Sequence, residues 1–399
     1  MKLLNTELKN NVLASMMNIL DRKRDEIIKA NKKDLNAFQK EDQALYDRLI
    51  VNNKKVDEMI RAVSSVKDQD DPVGKEISNR TLGNNLNVVN RTAPFGTILI
   101  IYESRPDVTI EAAVLAFKAN NKILLKGGKE ALNSNLILEK CWHEALEQNG
   151  LSKNWIRLMH LKREETREFL MHPDEPLDLI VPRGGKSLIR FVKQHASCAV
   201  LVSGRGNNFL YVSEHADWGK AVNIIINAKT DKISGCNALD KVLIHENLPE
   251  YDQKLQMLQE KLEQHQINIL VDPKISNTLT KKKVVDDHSI WKEEFLAPKI
   301  LIGQVRSLEE AITIINEYSG KHSAAIITER KSEAESFMEL IDSAAVYHNA
   351  STRFTDGGQM GVGAELAIST DKLHHRGPLG LNQLVTNKYY VYGDGQVRV

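Results

Sequence analysis

The chain has 399 residues, room for two or three domains, and its 54 basic and 53 acidic side chains leave a net charge of +1. With 42% hydrophobic and 27% charged residues it has the composition of a globular protein that buries sizeable cores without covalent staples. The even charge argues against a nucleic acid or an anionic membrane as partner, and three cysteines exclude a disulfide framework and point to a reducing compartment.

The first 70 residues read as amphipathic helices, with Leu8, Val12, Met16 and Ile19 at helical spacing. Polar residues interrupt every apolar run there, so neither a signal peptide nor a membrane span is expected, and the protein is expected to be cytoplasmic. After an acidic run at 68–71, the segment TLGNNLNVVNRTAP (81–94) suits strands or a hairpin. From Gly96 the pattern alternates. GTILIIYE, ILLKGG, WIRLMHL, LDLIVP and CAVLV read as buried strands with helical segments between them, as in a doubly wound, mostly parallel sheet. A second α/β set is expected after Ala228, with KVLIH, INILVD, KILIG, AAIIT and AAVYHN as strands. The segment NKYYVYGDGQVRV (387–399) reads as a long strand that, with residues 85–91, suits either an oligomerisation flap or a local hairpin.

Three features could carry chemistry. Cys236 lies on a glycine-containing loop between a helix and a strand, where a thiolate is accessible, although a lone loop cysteine can equally be inert. Cys141 and Cys198 sit in apolar helix and strand contexts and read as packing residues. Two glycine pairs, Gly127–Gly128 after Lys126 and Gly184–Gly185 before Ser187, each follow a buried strand and open a helix. Such turns let a phosphate approach the backbone, or are simply tight turns. GGKS is not a nucleoside-triphosphate loop, because that motif's first glycine would fall at Ile180. Arg105 stands where open α/β sheets bind ligands, and residues 349–365 gather Thr352, Arg353 and four glycines after a strand. The histidines, His374 and His375 included, show no metal-ligand spacing, and no metal is expected.

The segments IYESRPDVTIEAA, LKGGKEALNSN, VPRGGKSLI, CNALDKVLIH, NASTRFTDGGQMGVGAELAIST and KLHHRGPLGL follow one another over nearly the whole length. Together they resemble the gamma-glutamyl phosphate reductases (glutamate-5-semialdehyde dehydrogenases) of proline biosynthesis, in the aldehyde dehydrogenase superfamily. The resemblance implies an α/β fold in three parts. A discontinuous Rossmann-type cofactor domain covers 1–80, 94–229 and 349–385, a catalytic domain covers 230–348, and a β-hairpin oligomerisation flap joins 81–93 to 386–399. It makes Cys236 the nucleophile that forms a thioester with L-glutamate 5-phosphate, with the Asn237 amide or nearby backbone N–H groups as oxyanion donors. Ser104, Arg105, Arg183, Asn349, Thr352 and Arg353 become the substrate side, arginine's fork suiting phosphate and carboxylate. Lys126 matches the lysine that meets the adenosine ribose. With Lys129 and LKRE (161–164) it favours NADPH, while Gly127, Gly128, Gly184, Gly185 and Ser187 would approach the cofactor's pyrophosphate or nicotinamide side.

The resemblance further implies a homodimer, with a tetramer and contact with glutamate 5-kinase left open. Leu201 or its neighbours stand where oxidising members carry a water-activating glutamate, which favours a reductase. The chain also departs from the family. Asn208 and Phe209 replace a common Cys-His pair, Ala324 stands where an acidic residue is usual, Ile314 replaces a histidine, and Asp240 replaces a glutamate. These departures leave open a divergent relative acting on another acyl phosphate or aldehyde; a non-catalytic dinucleotide-binding homologue is the alternative of another class, and Cys236, Lys126 and the NASTRF loop count against it.

Overall fold

Thr97–Tyr102 is buried along its whole length, and its side chains divide between two cores. Ile98, Ile100 and Tyr102 join a large cluster with residues of the helices Thr6–Arg22, Asn53–Lys67, Val108–Lys118 and Leu132–Gln148. Leu99 and Ile101 join Leu124, Phe169, Leu170, Ile180 and Val192 on the opposite face. An alternation that is apolar on both faces is the signature of a strand covered on both sides by helices. Each such aliphatic side chain contributes roughly 1.5–3 kcal/mol by leaving water. The strand is the centre of a five-stranded parallel sheet, ordered Ile156–Leu158, Lys122–Lys126, Thr97–Tyr102, Leu179–Arg183, Ala199–Val200.

The computed structural model describes residues 2–38, 43–202, 204–275, 278–280, 282–373 and 375–398; His374 lies outside them. The chain folds into two compact units, one of Met1–Val202, Val362–Ala367 and Leu379–Val399, the other of Ser203–Gly361 and Ile368–Pro378. The division falls before residue 229, because the strand Asn208–Val212 and the helix Trp218–Thr230 pack into the second unit's core. That strand, unrecognised in the sequence, is buried at every position.

The second unit is built on a seven-stranded parallel sheet, ordered Lys283–Val284, Asn268–Val271, Lys299–Val305, Leu239–His245, Asn208–Val212, Ser323–Ile327, Ala345–His348. Leu210 and Val212 face one core, Phe209 and Tyr211 the other. The Cys236 turn leads into this sheet, since Leu239 opens its strand three residues after Cys236.

A three-stranded antiparallel sheet belongs to the first unit. Asn87–Pro94 is its middle strand, flanked by Glu76–Thr81 and Val385–Tyr392, with Asn87 opposite Tyr392 and Pro94 opposite Val385. Asn85 turns the hairpin in the left-handed region at φ 66°, a conformation asparagine tolerates better than most residues. Ile77, Tyr389, Val391 and Tyr392 are exposed on this sheet. Among the described residues, no helix is long and apolar enough to cross a membrane.

One buried carboxylate ties the amino-terminal helices to the first sheet's layer. Asp34, from the helix Arg24–Ala37, accepts the N–H groups of Asn133 (3.0 Å) and Ser134 (2.8 Å) at the start of Leu132–Gln148. It also accepts the Asn133 amide and the Ser134 hydroxyl. The helix is therefore capped by a residue about a hundred positions away. Asp34→Ala should cost about 2–3 kcal/mol in urea unfolding, by orphaning buried donors. An unchanged midpoint would show that water replaces this cap.

Candidate active site

Helix Trp218–Thr230 is capped by Asp217, which accepts the Lys220 N–H at 2.9 Å, and the chain then turns through residues 231–238 before entering the strand Leu239–His245. Cys236 is exposed on this turn, whereas Cys141 is buried and Cys198 partly so. Burial pushes the Cys141 thiol up to about 12 and that of Cys198 to about 11. Neither supplies thiolate near neutral pH, so the loop cysteine is the one placed to react.

The loop is held by its backbone. The Asn208 carboxamide, fully buried, donates to the carbonyls of Cys236 (2.8 Å) and Ala238 (2.7 Å), and its oxygen accepts the Ser323 N–H (3.0 Å). Thr352 donates its hydroxyl to the Asn237 carbonyl at 2.8 Å. The Asn237 side chain donates to the carbonyls of Arg353 (3.1 Å) and Thr355 (3.0 Å). Both hydrogens of that amide are thus committed to the protein, which corrects the expectation that it serves as an oxyanion donor. Arg353 pairs with Asp231 at 2.9 Å and lies against the residue before Cys236, since a Cβ on Gly235 would sit 2.8 Å from its guanidinium. The structure therefore gathers Cys236, Asn237, Thr352 and Arg353. Asn349 is engaged elsewhere: at φ 51°, its side chain pairs with the N–H and carbonyl of Thr328.

Beneath the loop lies a polar chain that the sequence did not reveal. Ser323 bonds through its hydroxyl to Thr355 (2.7 Å), which meets Tyr347 (2.8 Å), and His322 reaches the same Ser323 oxygen (2.7 Å). Asp240 receives the Lys229 ammonium at 3.0 Å and the Phe295 N–H at 3.0 Å, all three groups being buried. Burial lowers the neighbouring Lys241 to about 7; its ammonium donates to the Asn207 side chain and the Glu293 carbonyl, 3.6 Å over the Phe295 ring. The other departures are apolar and lie together. Phe209, Ala324 and the half-buried Ile314 share one core cluster, with Ala324 opposite Phe209 across two paired strands. At the opposite end of the same strands, His215 lies 3.5 Å from Glu333 and 3.8 Å from Glu214. The histidine spacing in the sequence did not signal this grouping, whose carboxylates Arg330 at 3.6 Å helps to balance.

In the first unit the other expected residues follow the strand ends of the five-stranded sheet. Lys126 ends its strand half-buried, its ammonium on the Gly127 carbonyl at 2.9 Å, and desolvation lowers its pKa. A Cβ on Gly127 would lie 2.2 Å from the Asn135 amide, so this turn is built around a missing side chain. Ser104, at φ 42°, gives both its N–H (2.7 Å) and its hydroxyl (2.8 Å) to Glu130, which commits its side chain to the protein. Arg105 pairs with Asp107 at 2.9 Å, and Lys55 pairs with the same carboxylate at 3.0 Å. Burial opposes ionisation of Asp107, but these two cations outweigh it and hold its pKa down. Arg183 lines a small recess with Glu111, Glu365, Val108, Ala112 and Leu366. The second glycine turn differs from expectation. The Glu103 carboxylate accepts the Gly185 N–H at 3.0 Å and crowds Gly184, so a protein anion already sits where a phosphate was foreseen. Ser187 is exposed in the first turn of the following helix.

Comparison with known proteins accords with this arrangement. The sequence profile of the aldehyde dehydrogenase family matches residues 1–276 and 270–365. The chain is 39% identical to gamma-glutamyl phosphate reductase of Dictyoglomus thermophilum, over 100% of its own length and 96% of that protein. It is 39% identical to the enzyme of that name from Persephonella marina, over 98% and 90%. The crystal structure of gamma-glutamyl phosphate reductase from Thermotoga maritima superposes with a TM-score of 0.95 at 40% identity, covering 99% of this chain and 95% of that one.

His322 provides a test of the network beneath the loop. Burial drives its imidazole from 6.5 down to about 4. As pH falls below 6.5, the unfolded chain binds a proton that the folded protein refuses. The stability held by neutral His322 is thus intact above pH 6.5 and lost progressively towards about pH 4. Urea unfolding across this window should give a flatter pH profile for His322→Asn than for the wild type. Identical slopes would remove His322 as the source.

Proposed function

Since the chain belongs to the gamma-glutamyl phosphate reductases of the aldehyde dehydrogenase family, we propose that it reduces L-glutamate 5-phosphate to L-glutamate 5-semialdehyde and phosphate, with NADPH, in proline biosynthesis. The observation that carries this reading is Cys236: an exposed thiol on a loop whose carbonyls are held by Asn208 and Thr352, beside the Arg353 guanidinium.

The Cys236 thiolate attacks the acyl carbon, a C–S bond forms, and the C–O bond to phosphate breaks, leaving a thioester and free phosphate. NADPH, when bound, supplies the hydride that takes this thioester to the aldehyde level. The resulting thiohemiacetal oxyanion collapses, the C–S bond breaks, and the semialdehyde leaves as the thiolate is restored. With the Asn237 amide committed elsewhere, oxyanion charge falls to backbone N–H groups of the loop. Arg353, whose guanidinium lies against Gly235, offsets the charge of the acyl phosphate as it exchanges Asp231 for substrate.

No step needs an activated water, and Leu201, at or beside the position where the resemblance places the base of oxidising members, is a fully buried core leucine. For the cofactor, the residues of the first glycine turn fit best. Lys126 is half-desolvated beside Gly127, so a bound anion would repay part of its burial cost, and Lys129 adds a second cation three residues on. Glu103 makes the second turn a poorer phosphate cradle than its glycines suggest. The divergent-relative alternative is weakened by Phe209, Ile314 and Ala324, which pack a core rather than face a ligand. Exposed Ile77, Tyr389, Val391 and Tyr392 on the antiparallel sheet support association into a homo-oligomer.

The test is the reverse reaction: glutamate semialdehyde, phosphate and NADP⁺ are mixed with protein and NADPH absorbance is followed. Phosphate-dependent absorbance growth is expected, and its absence in the wild type would refute the reading. Cys236→Ala should reduce the rate by ~10³-fold or more, as loss of a covalent nucleophile does. Lys126→Ala should raise the KM for NADP⁺ by about 10-fold, the worth of one charge-assisted contact, while that for NAD⁺ changes little. Equal effects on both cofactors would remove Lys126 from the 2′-phosphate site.

A further inference from the structure

We propose that Asn208 is a positioning residue that aims the Asn237 backbone N–H at the oxyanion formed on acyl groups attacked by Cys236. The inference rests on the assignment of Cys236 as nucleophile, but concerns a residue outside the reacting groups.

A trans peptide unit is planar, and its carbonyl and N–H point in opposite directions. The unit joining Cys236 to Asn237 has its oxygen fastened to the Asn208 amide at 2.8 Å. Asn208 is fully buried and Cys236 exposed, so the N–H at the other end of that unit points away from the core, towards the exposed side of the loop. Among the described residues, this N–H makes no hydrogen bond.

Two further observations show that the orientation is built in. Gly206 packs so tightly on the same carbonyl that a Cβ there would lie 2.1 Å from the Cys236 oxygen, too close for any side chain. The second hydrogen of Asn208 holds the Ala238 carbonyl at 2.7 Å, so the peptides on both sides of the Asn237–Ala238 unit are fixed from one side chain. Asn208 is itself immobilised, because its oxygen accepts the Ser323 N–H of the adjoining strand. The Asn237 side chain, the more obvious donor, is spent on two carbonyls. Its backbone N–H is still on offer, and a donor fixed in advance stabilises developing charge without reorganising.

The test sets two reactions of one thiol against each other. p-Nitrophenyl acetate acylates a cysteine through a tetrahedral oxyanion, whereas iodoacetamide alkylates it by direct displacement with none. Cys141 and Cys198 are held as thiols by burial, so Cys236 is the group read at pH 8. In Asn208→Ser, whose side chain is too short to span both carbonyls, acylation should slow by ~10²–10³-fold while alkylation stays within about threefold of wild type. Asn208→Asp keeps the shape and removes the donors, and should show the same split if the serine variant does not fold. Equal slowing of both reactions would mean a loosened loop and would overturn the proposal; so would acylation at the wild-type rate. Neither reagent needs the natural substrate, so the phosphate-dependent assay of the wild-type enzyme reports separately on the overall function.

Discussion

A cysteine exposed on a loop gains little from packing of its side chain, so its place is set through the backbone. The Cys236 loop meets this constraint by presenting carbonyls to buried side chains: those of Cys236 and Ala238 to Asn208, and that of Asn237 to Thr352. Much of the second unit serves that purpose. The strand Asn208–Val212 carries the clamp, Ser323 immobilises it, and the segment 351–355 returns to close the other side. Buried hydrogen bonds of this kind add little net stability but cost a great deal when left unmade, so they define one geometry sharply.

The buried strands were legible because parallel strands covered on both faces leave near-continuous apolar runs, as GTILIIY and KVLIH do. Cys236 stood out by its place between a helix and a strand. Asn208–Val212 was missed: it opens with asparagine amid glycines and polar residues, and an asparagine that clamps a distant loop looks in sequence like a turn former. The same ambiguity misdirected Asn237, whose amide is a potential oxyanion donor until the carbonyls of Arg353 and Thr355 are seen to claim it. Glu103 and Asp34 were silent for a related reason. A carboxylate that caps a helix from another element leaves no local pattern.

Phe209, Ile314 and Ala324 lie in a single apolar cluster, and two of them face each other across adjoining strands. A polar group at one of these sites would need a buried partner at another. Asn208, their neighbour, is polar and serves two carbonyls. Asp240 is likewise paired with the buried Lys229 ammonium.

The antiparallel sheet has a temporal consequence. Its middle strand, Asn87–Pro94, finds one neighbour about ten residues upstream, but the other, Val385–Tyr392, comes roughly three hundred residues later. While a ribosome is still making the intervening chain, the middle strand has one edge open, and open edges are templates for wrong pairing. Both α/β sheets can form before Val385–Tyr392 arrives. That strand then acts as a latch that closes the sheet only once residues 385–392 have been made.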